Sequence, residues 1–308
     1  MQTAEVSAEE YGAFFADCPH IYNNAAFNIL NSHKADAVHF VLMRDEKVRF
    51  GIVLGEQCGS LLSPFSAPFG GFSYNRTQTF ERVDDAVRTL ARYAREKAMT
   101  VRVTLPPPIY GATMTPLLAS AMLRRGTLLC AEVNWHFVLS DYADYASALD
   151  RNGKNKLRQA SREHFDFIIV DNNRTDDVKR AYAVIKRNRD DHGYPLRMSE
   201  EDVVRTIAVV PADLFLLIYK GEDVAAALVY HAAKDVRQVI YWGAPKEYSA
   251  LRPMNALACR IFEHYFNAGA CVLDVGPATE NGVPNYGLCE FKKSIGCRPT
   301  LKCIFELS

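Results

Sequence analysis

The sequence predicts a mixed α/β protein of two tandem domains, each an α+β unit with a mostly antiparallel sheet flanked by helices. The length of 308 residues fits two domains of ordinary size. Each half shows a strand meander followed by helix, strand, helix and strand, which is an α+β order. The polar stretch SDYADYASALD at 140–150 separates the halves. We therefore expect an N-terminal domain over residues 1–140 and a C-terminal domain over residues 141–308.

Capping residues and hydrophobic periodicity place the elements of the first half. A helix is predicted at SAEEYGAFFADC, where Ser7 and Glu10 have capping-box spacing. Strands at 37–43 and 48–55 flank a charged turn and predict a hairpin. The remaining elements predicted here are an amphipathic helix at 77–98, a strand at 100–106, a helix at 113–125 and a strand at 128–139.

The second half shows the same order of elements with different residues. It begins with a basic helix at 153–164, a strand at 165–171, a helix at 175–191 and a helix from Ser199. Three strands at 214–220, 224–232 and 236–244 form the predicted meander. A helix at 251–269, a strand at 270–276, a helix near 287–295 and a final strand complete the chain.

Composition excludes several classes of protein. Lys plus Arg and Asp plus Glu both number 36, so we expect no DNA-binding surface, although a local basic groove remains compatible. The N-terminus lacks a signal-peptide pattern, and no apolar run approaches the ~18 residues of a membrane span. The eight cysteines form no CxxC pair and have no His cluster nearby. They predict buried thiols in a cytoplasmic protein, with no metal site and no tightly bound cofactor.

A basic segment opens the second half. Residues 151–162 hold five cations and no acid, and Lys154, Arg158 and Arg162 are spaced to share one helix face. Like charges at this spacing repel by a few tenths of a kcal/mol per pair, and a phosphate or RNA backbone would remove that cost. The alternative is a solvated surface helix whose charges are answered by acids elsewhere in the fold.

A second cationic set, which includes Arg189, precedes the sequence DDHGYP. His192 in that sequence has the pKa range of a catalytic base. A histidine in the last turn of a helix also caps carbonyl groups and interacts with the helix dipole. Both readings of His192 remain open.

The most specific stretch lies near the C-terminus. Asp274 ends a strand, a loop runs through Tyr286, and the pair Phe291-Lys292 follows on a short predicted helix. This order places a cation beside the mouth of the sheet. The alternative is that Lys292 is an exposed surface residue and Phe291 a core residue.

Three motifs and the element order resemble the FemAB-type tandem GNAT-fold transferases of bacteria, a family within the GNAT superfamily of acyltransferases and acetyltransferases. The motifs are SPFSAPFGG at 63–71, the basic run at 151–162, and the ending Asp274…Phe291-Lys292…Gly296. The resemblance implies two GNAT-like domains, of which the C-terminal one carries the transfer site. It also implies that Lys292 stabilises a tetrahedral intermediate and that Phe291 shapes the site. Because the segment 63–71 has few groups able to titrate, we expect the N-terminal domain to be structural and to shape the acceptor cleft.

The sequence departs from the acetyl-CoA-dependent GNAT pattern. Those enzymes place a glycine-rich loop before a helix, where free backbone N–H groups hold the CoA pyrophosphate. The matching segment 244–253 has no glycine, although Lys246 and Arg252 remain available to phosphate. The donor therefore stays open between acyl-CoA and aminoacyl-tRNA, with the missing glycines favouring the latter.

These observations predict a transferase that moves an acyl or aminoacyl group to the amine of a small molecule or peptide. The expected catalytic residues are Lys292 and Phe291. The candidate substrate- or donor-binding residues are Lys154, Arg158, Arg162, Arg189, Tyr241, Lys246, Arg252, Asp274 and Tyr286. A non-catalytic GNAT-fold module that binds a peptide, glycan or nucleotide-like ligand is the alternative.

Overall fold

A computed structural model describes residues 1–307 and divides the chain into two compact units. The first unit comprises Met1–Val133, Thr279–Val283 and the residues from Thr300 onward, and the second comprises Asn134–Ala278 and Pro284–Pro299. The expected boundary at residues 140 and 141 lies beyond this division. The final strand, which the sequence analysis gave to the C-terminal domain, lies in the first unit because it pairs there with an N-terminal strand.

The first unit contains the elements from the N-terminus to Val133, which lies within the seventh strand. The strands are β1 (Gln2–Val6), β2 (Ala37–Arg44), β3 (Val48–Gln57), β4 (Ser60–Ser63), β5 (Phe72–Ser73), β6 (Thr100–Thr104) and β7 (Thr127–Val138). The helices are α1 (Ala8–Phe14), α2 (Ala25–Leu30), α3 (Phe80–Glu96) and α4 (Met114–Arg125). Short 3-10 helices occur at Ile21–Asn23, Ser32–Lys34 and Pro108–Tyr110.

The second unit continues with alternating helices and strands. Its helices are α5 (Tyr145–Ala148), α6 (Arg151–Ala160), α7 (Thr175–His192), α8 (Glu200–Ile207) and α9 (Pro253–Asn267), with 3-10 helices at Leu139–Asp144 and Lys246–Leu251. Its strands are β8 (Phe165–Ile169), β9 (Ala212–Tyr219), β10 (Glu222–Tyr230), β11 (Val236–Gly243) and β12 (Val272–Pro277). The chain ends with β13 (Thr279–Glu280), β14 (Val283–Pro284), α10 (Tyr286–Ser294) and β15 (Arg298–Leu307).

The sheet of the first unit has the strand order β1-β2-β3-β4-β6-β15-β7. The expected hairpin is present as the antiparallel pair β2 and β3, whereas β4 pairs parallel to β6. Helix α3 covers the sheet with the apolar face that its sequence predicts, and Val83, Val87 and Leu90 are completely buried. Strand β1 was not predicted; it pairs antiparallel with residues 40–44 of β2.

The sheet of the second unit contains the predicted meander. Strands β8, β9, β10 and β11 pair antiparallel in sequence order, and β12 lies parallel to β11. Residues 134–138 of β7 pair antiparallel with β12 on its other side. Helix α8 begins with a capping box at Ser199, as its sequence indicates.

Helices pack on opposite faces of the second sheet. Tyr241 of β11 contacts α7 through Arg189, so one face of the sheet is covered by α7. The next residue, Trp242, points to the other face, where its ring contacts Phe291 of α10. Ala227 pairs with both Trp242 and Phe215, and Phe215 contacts Tyr265 of α9. Helices α9 and α10 therefore share the face opposite α7.

Two expectations about local structure need correction. The basic helix ends at Ala160, because Ser161 begins a turn, so Arg162 does not continue the face of Lys154 and Arg158. The cysteines are all free, as expected, but Cys58 and Cys271 are exposed and Cys297 alone has a fully buried environment among the eight. Burial raises the pKa of the Cys297 thiol, so it stays protonated.

We predict that Gly243→Ala destabilises the second unit by about 1–3 kcal/mol. A Cβ at this position would overlap the Asn188 side chain, whose Nδ2 donates to the Ala244 carbonyl at 2.8 Å. Urea unfolding would measure the loss. Gly12→Ala is the matched control, because its Cβ would meet Ala25 at an ordinary 3.6 Å within α1. The control should be neutral or stabilising by up to about 1 kcal/mol. Equal stability of Gly243→Ala and the wild type would contradict this close approach.

Candidate functional site

The two parallel strands of the second unit separate partway along their length. Strands β11 and β12 are in register only from Val236 and Val272 to Gln238 and Asp274. Beyond this point β11 continues to Gly243, while β12 forms a bulge between Asp274 and Gly276 against β7. Gly276 has φ +75°, a left-handed conformation that glycine adopts without a Cβ penalty. Beyond this point, the backbone groups of the two strands therefore no longer pair with each other.

Asp274 fixes the start of this bulge. Its carboxylate is completely buried and accepts hydrogen bonds from Asn134 Nδ2 at 2.8 Å, Gln238 Nε2 at 2.9 Å and the Gly276 backbone N–H at 2.9 Å. A buried carboxylate with three donors is a stabilised structural group. Asp274 thus positions the backbone of β12 from inside the protein.

Lys292 holds the next part of the same strand. Its side chain is 2% exposed, and Nζ donates to the carbonyl oxygens of Gly276 and Pro277, each at 2.8 Å. The preceding residue, Phe291, packs edge-on against Trp242 of β11, with ring centroids 5.9 Å apart. Consecutive residues of α10 therefore contact the two diverging strands, one on each. Lys292 is buried, which excludes the alternative that it is an exposed surface residue.

The basic helix α6 presents its cations to solvent. Lys154 and Arg158 are exposed on the helix, and Arg162 is exposed in the following turn. Within residues 1–307, none of the five cations of the segment 151–162 forms an ion pair with an acid. Acids elsewhere in the described fold therefore do not neutralise this segment.

Helix α6 packs against the start of α9. The exposed Arg252, which precedes α9, donates from Nε to Gln159 Oε1 at 3.0 Å. Gly153 lies against the carbonyl of Ser294 at the end of α10, where a Cβ would not fit. These contacts place Arg252 and α6 together on the α9 face of the sheet.

The loop between β11 and α9 has few free backbone donors. Pro245 and Pro253 have no N–H, and the N–H of Lys246 already donates to Asp191 Oδ2 at 2.8 Å. The N–H groups of Asn255 and Ala256 donate to the Arg252 carbonyl. The side chain of Lys246 is exposed, so it is available to an anion.

Arg189 and Tyr241 come together on the α7 face. The Arg189 guanidinium carbon lies 5.2 Å from the Tyr241 ring centroid and 5.8 Å from that of Tyr194. The Tyr241 hydroxyl accepts from the Arg197 N–H at 3.2 Å. Burial lowers the pKa of Arg189 from its ordinary value. His192 donates from Nδ1 to the Asn188 carbonyl at 2.9 Å, the contact of a residue that caps its own helix.

Tyr286 and the segment 63–71 form none of the contacts described above. Tyr286 begins α10 and is 77% exposed. In the first unit, Phe69 is buried and meets His20 edge-on at 4.9 Å, while Gly71 donates its N–H to Ser63 Oγ at 2.9 Å. Phe69 and Phe72 are core residues there.

An open depression of about 460 Å³ lies in the first unit. It is lined by Asp17, Pro19 and the residues of 74–77 and 110–114. None of the candidate residues borders it. Among residues 1–307 no group of three His, Cys, Asp or Glu side chains is placed to hold a metal ion, and no helix is long and apolar enough to cross a membrane.

Sequence reasoning missed the residues that complete the interior cluster. Asn134 and Gln238 donate to Asp274 from two different strands, and only the pairing of β12 between them brings the three together. Trp242, the partner of Phe291, had no motif around it. Its rarity, as one of two tryptophans, was the available signal.

Known structures share this fold across the whole chain. FemX covers 99% of the chain and 97% of its own length, with 14% identity and a TM-score of 0.68. The C-terminal domain of a putative lysylphosphatidylglycerol synthetase from Agrobacterium fabrum has 14% identity, coverage of 98% and 93%, and a TM-score of 0.63. A tandem GNAT protein from the clavulanic acid biosynthesis pathway has 11% identity, coverage of 99% and 97%, and a TM-score of 0.53.

These similarities confirm the predicted tandem GNAT-like fold. No protein-family model and no curated protein matches the sequence. At identities of 11–14%, these structures share the fold of this chain, whereas its chemistry depends on its own residues.

We predict that Lys292→Met lowers the free energy of unfolding by about 2–4 kcal/mol, because two buried carbonyl groups lose a charged donor. Urea unfolding monitored by tryptophan fluorescence would measure the change. The neighbouring Lys293→Met, at an exposed position, should stay within about 0.5 kcal/mol of the wild type. If the two variants were equally stable, Lys292 would not hold the bulge of β12.

Proposed function

We propose that this chain transfers an acyl or aminoacyl group from a phosphate-bearing activated donor to an amine, at the ends of β11 and β12. The observation that carries the proposal is the Phe291-Lys292 pair. Phe291 contacts β11 beyond its last residue paired with β12, and Lys292 binds two carbonyls of β12 beyond the same point. A desolvated cation is thereby fixed where two strands of a GNAT-like sheet diverge.

Such a cation suits the chemistry of acyl transfer. When an amine attacks an ester or thioester, the carbonyl oxygen becomes an oxyanion, which collapses as the leaving oxygen or sulfur departs. The proton that the amine loses balances the one that the leaving group gains. A fixed ammonium group stabilises the oxyanion more than the neutral carbonyl, so it acts mainly in the transition state.

The unpaired cations of α6 support a phosphate-bearing donor. Lys154, Arg158 and Arg252 lie on the α9 face, which is also the face of Lys292. Stacked cations without acid partners repel one another, and a phosphate backbone neutralises them with release of counterions. The α9 face therefore has the charge of a donor-binding surface.

The loop before α9 favours aminoacyl-tRNA over acyl-CoA as this donor. In a CoA site of the GNAT type, backbone N–H groups hold the pyrophosphate. Here Asp191 occupies the N–H of Lys246, and Glu247 stands next to it in an ion pair with Arg187. The Asp191 carboxylate at this place repels a pyrophosphate, whereas the side chains of α6 can hold an RNA backbone. The lysylphosphatidylglycerol synthetase neighbour, by its name, also makes an aminoacylated product.

A transfer assay tests the function directly. The purified chain is incubated with a mixture of amino acids and dipeptides and with either charged tRNA or acetyl-CoA, and products are followed by mass spectrometry. We expect amine-dependent loss of the aminoacyl group from tRNA. Lys292→Met, assayed at a temperature where it is folded, should lower kcat by on the order of 10²–10³. Lys293→Met should keep the wild-type kcat.

The outcomes separate the alternatives. Transfer from acetyl-CoA alone would keep the transferase and overturn the choice of donor. Binding of either donor without any transfer would favour a non-catalytic module. A folded Lys292→Met protein with wild-type kcat would remove Lys292 from the chemistry.

We predict that the cations of α6 act in donor binding. Arg158→Ala should raise KM for charged tRNA several-fold at unchanged kcat, and the salt slope of log Kd should fall by roughly 0.7–0.9. Arg260→Ala on α9 is the matched control, because it removes the same charge from an exposed residue that pairs with Glu263. An Arg158 variant with unchanged KM and salt slope would return α6 to a solvated surface helix.

A further inference from the structure

One arginine of the second unit is half-buried without a hydrogen-bond partner. Within residues 1–307, the Arg189 guanidinium makes no side-chain hydrogen bond and no ion pair, and its Nε is completely buried. Its contacts are the rings of Tyr194 and Tyr241, whose centroids lie 5.8 Å and 5.2 Å from the guanidinium carbon. Five N–H donors thus lie beside aromatic rings with no protein acceptor.

The other cations of α7 have acid partners. Ion pairs link Lys179 to Glu200, Arg180 to Asp223, Lys186 to Asp190, and Arg187 to Glu247. Two acids follow Arg189 directly in sequence, yet Asp190 pairs with Lys186 and Asp191 binds the Lys246 N–H. The helix therefore satisfies four cations and leaves the most buried one without a counter-ion.

This arrangement costs stability unless a ligand completes it. Burial already disfavours the charged state, as the lowered pKa of Arg189 indicates, and arginine keeps its charge regardless. The aromatic contacts recover part of this cost, but they leave the N–H groups without acceptors. A stability cost of this kind is typical of a residue retained for binding.

We propose that Arg189 binds a carboxylate of the amine acceptor, so that the acceptor is an amino acid or a peptide with a free carboxylate. Only the identification of this ligand as the acceptor rests on the proposed transferase function. Tyr241 lies on β11 beyond its last residue paired with β12, so Arg189 flanks the diverging strands from the α7 face. Lys292 and the cations of α6 lie on the opposite face, so donor and acceptor approach the gap from different sides.

The surroundings favour a carboxylate over a phosphate. A guanidinium binds a planar carboxylate through two parallel hydrogen bonds. The other cations of α7 already have acid partners, so one guanidinium is available here, and its single charge matches a carboxylate better than a phosphate dianion.

Binding of a dipeptide and its amide to the full chain tests the proposal without any transfer. Alanyl-alanine and alanyl-alanine amide differ only in the carboxylate, and isothermal titration calorimetry with saturation-transfer NMR measures both, beside inorganic phosphate. We expect the free acid to bind about tenfold or more tightly than the amide. Arg189→Met should remove this preference, and Arg189→Lys should weaken it, since lysine cannot form the bidentate pair.

Arg187→Met is the matched control, because Arg187 is exposed on the same helix and already paired with Glu247. It should keep the preference for the acid. The melting temperature gives an independent readout: Arg189→Met should melt at or above the wild-type temperature without ligand, because it removes an unsatisfied cation. A lower melting temperature would indicate that Arg189 serves the packing of the tyrosines.

Each result decides one proposal. Equal binding of acid and amide, absence of binding by both, or Arg189-dependent binding of phosphate in preference to the acid would overturn the carboxylate site. Preference for the acid that depends on Arg189 would stand even if no transfer activity were found. Transfer to the amide at the same KM as to the acid would keep the transferase function and refute this inference.

Discussion

The separation of β12 from β11 depends on charges buried inside the second unit. Asp274 takes three hydrogen bonds at the start of the bulge, and Lys292 gives two to the carbonyls just after it. Without these bonds, the backbone groups freed by the bulge would be buried without partners, which is costly. Two opposite charges thus stabilise the irregular end of β12, and the gap between the strands depends on them.

The diverging strands give the second sheet two chemically different sides. On the face of α9 and α10 lie Lys292, the cations of α6 and Arg252. On the face of α7 lies Arg189 beside two tyrosine rings. Because side chains alternate along β11, the neighbours Tyr241 and Trp242 reach these two sides from one strand. An enzyme that joins two substrates benefits from such a division, since each substrate has its own approach.

The loop before α9 differs from a glycine-rich loop that holds an anion with its backbone. Pro245 and Pro253 have no N–H, and Asp191 binds the N–H of Lys246. The cations of α6, ahead of the sheet in sequence, have no acid partners among residues 1–307. Side chains at the surface of a helix follow a long phosphate backbone better than they enclose a compact pyrophosphate.

The sequence by itself determined the order of most elements, the amphipathic face of α3 and the meander β9–β11, and it singled out the pair Phe291-Lys292. These features rest on local periodicity and on neighbours in the chain. Only the tertiary structure decided that the last strand belongs to the first unit and that the basic helix stops before Arg162. It also decided the partners of Asp274 and the isolation of Arg189. Those features depend on residues up to 140 positions apart in sequence meeting across paired strands, and local patterns carry no record of which strands will be neighbours.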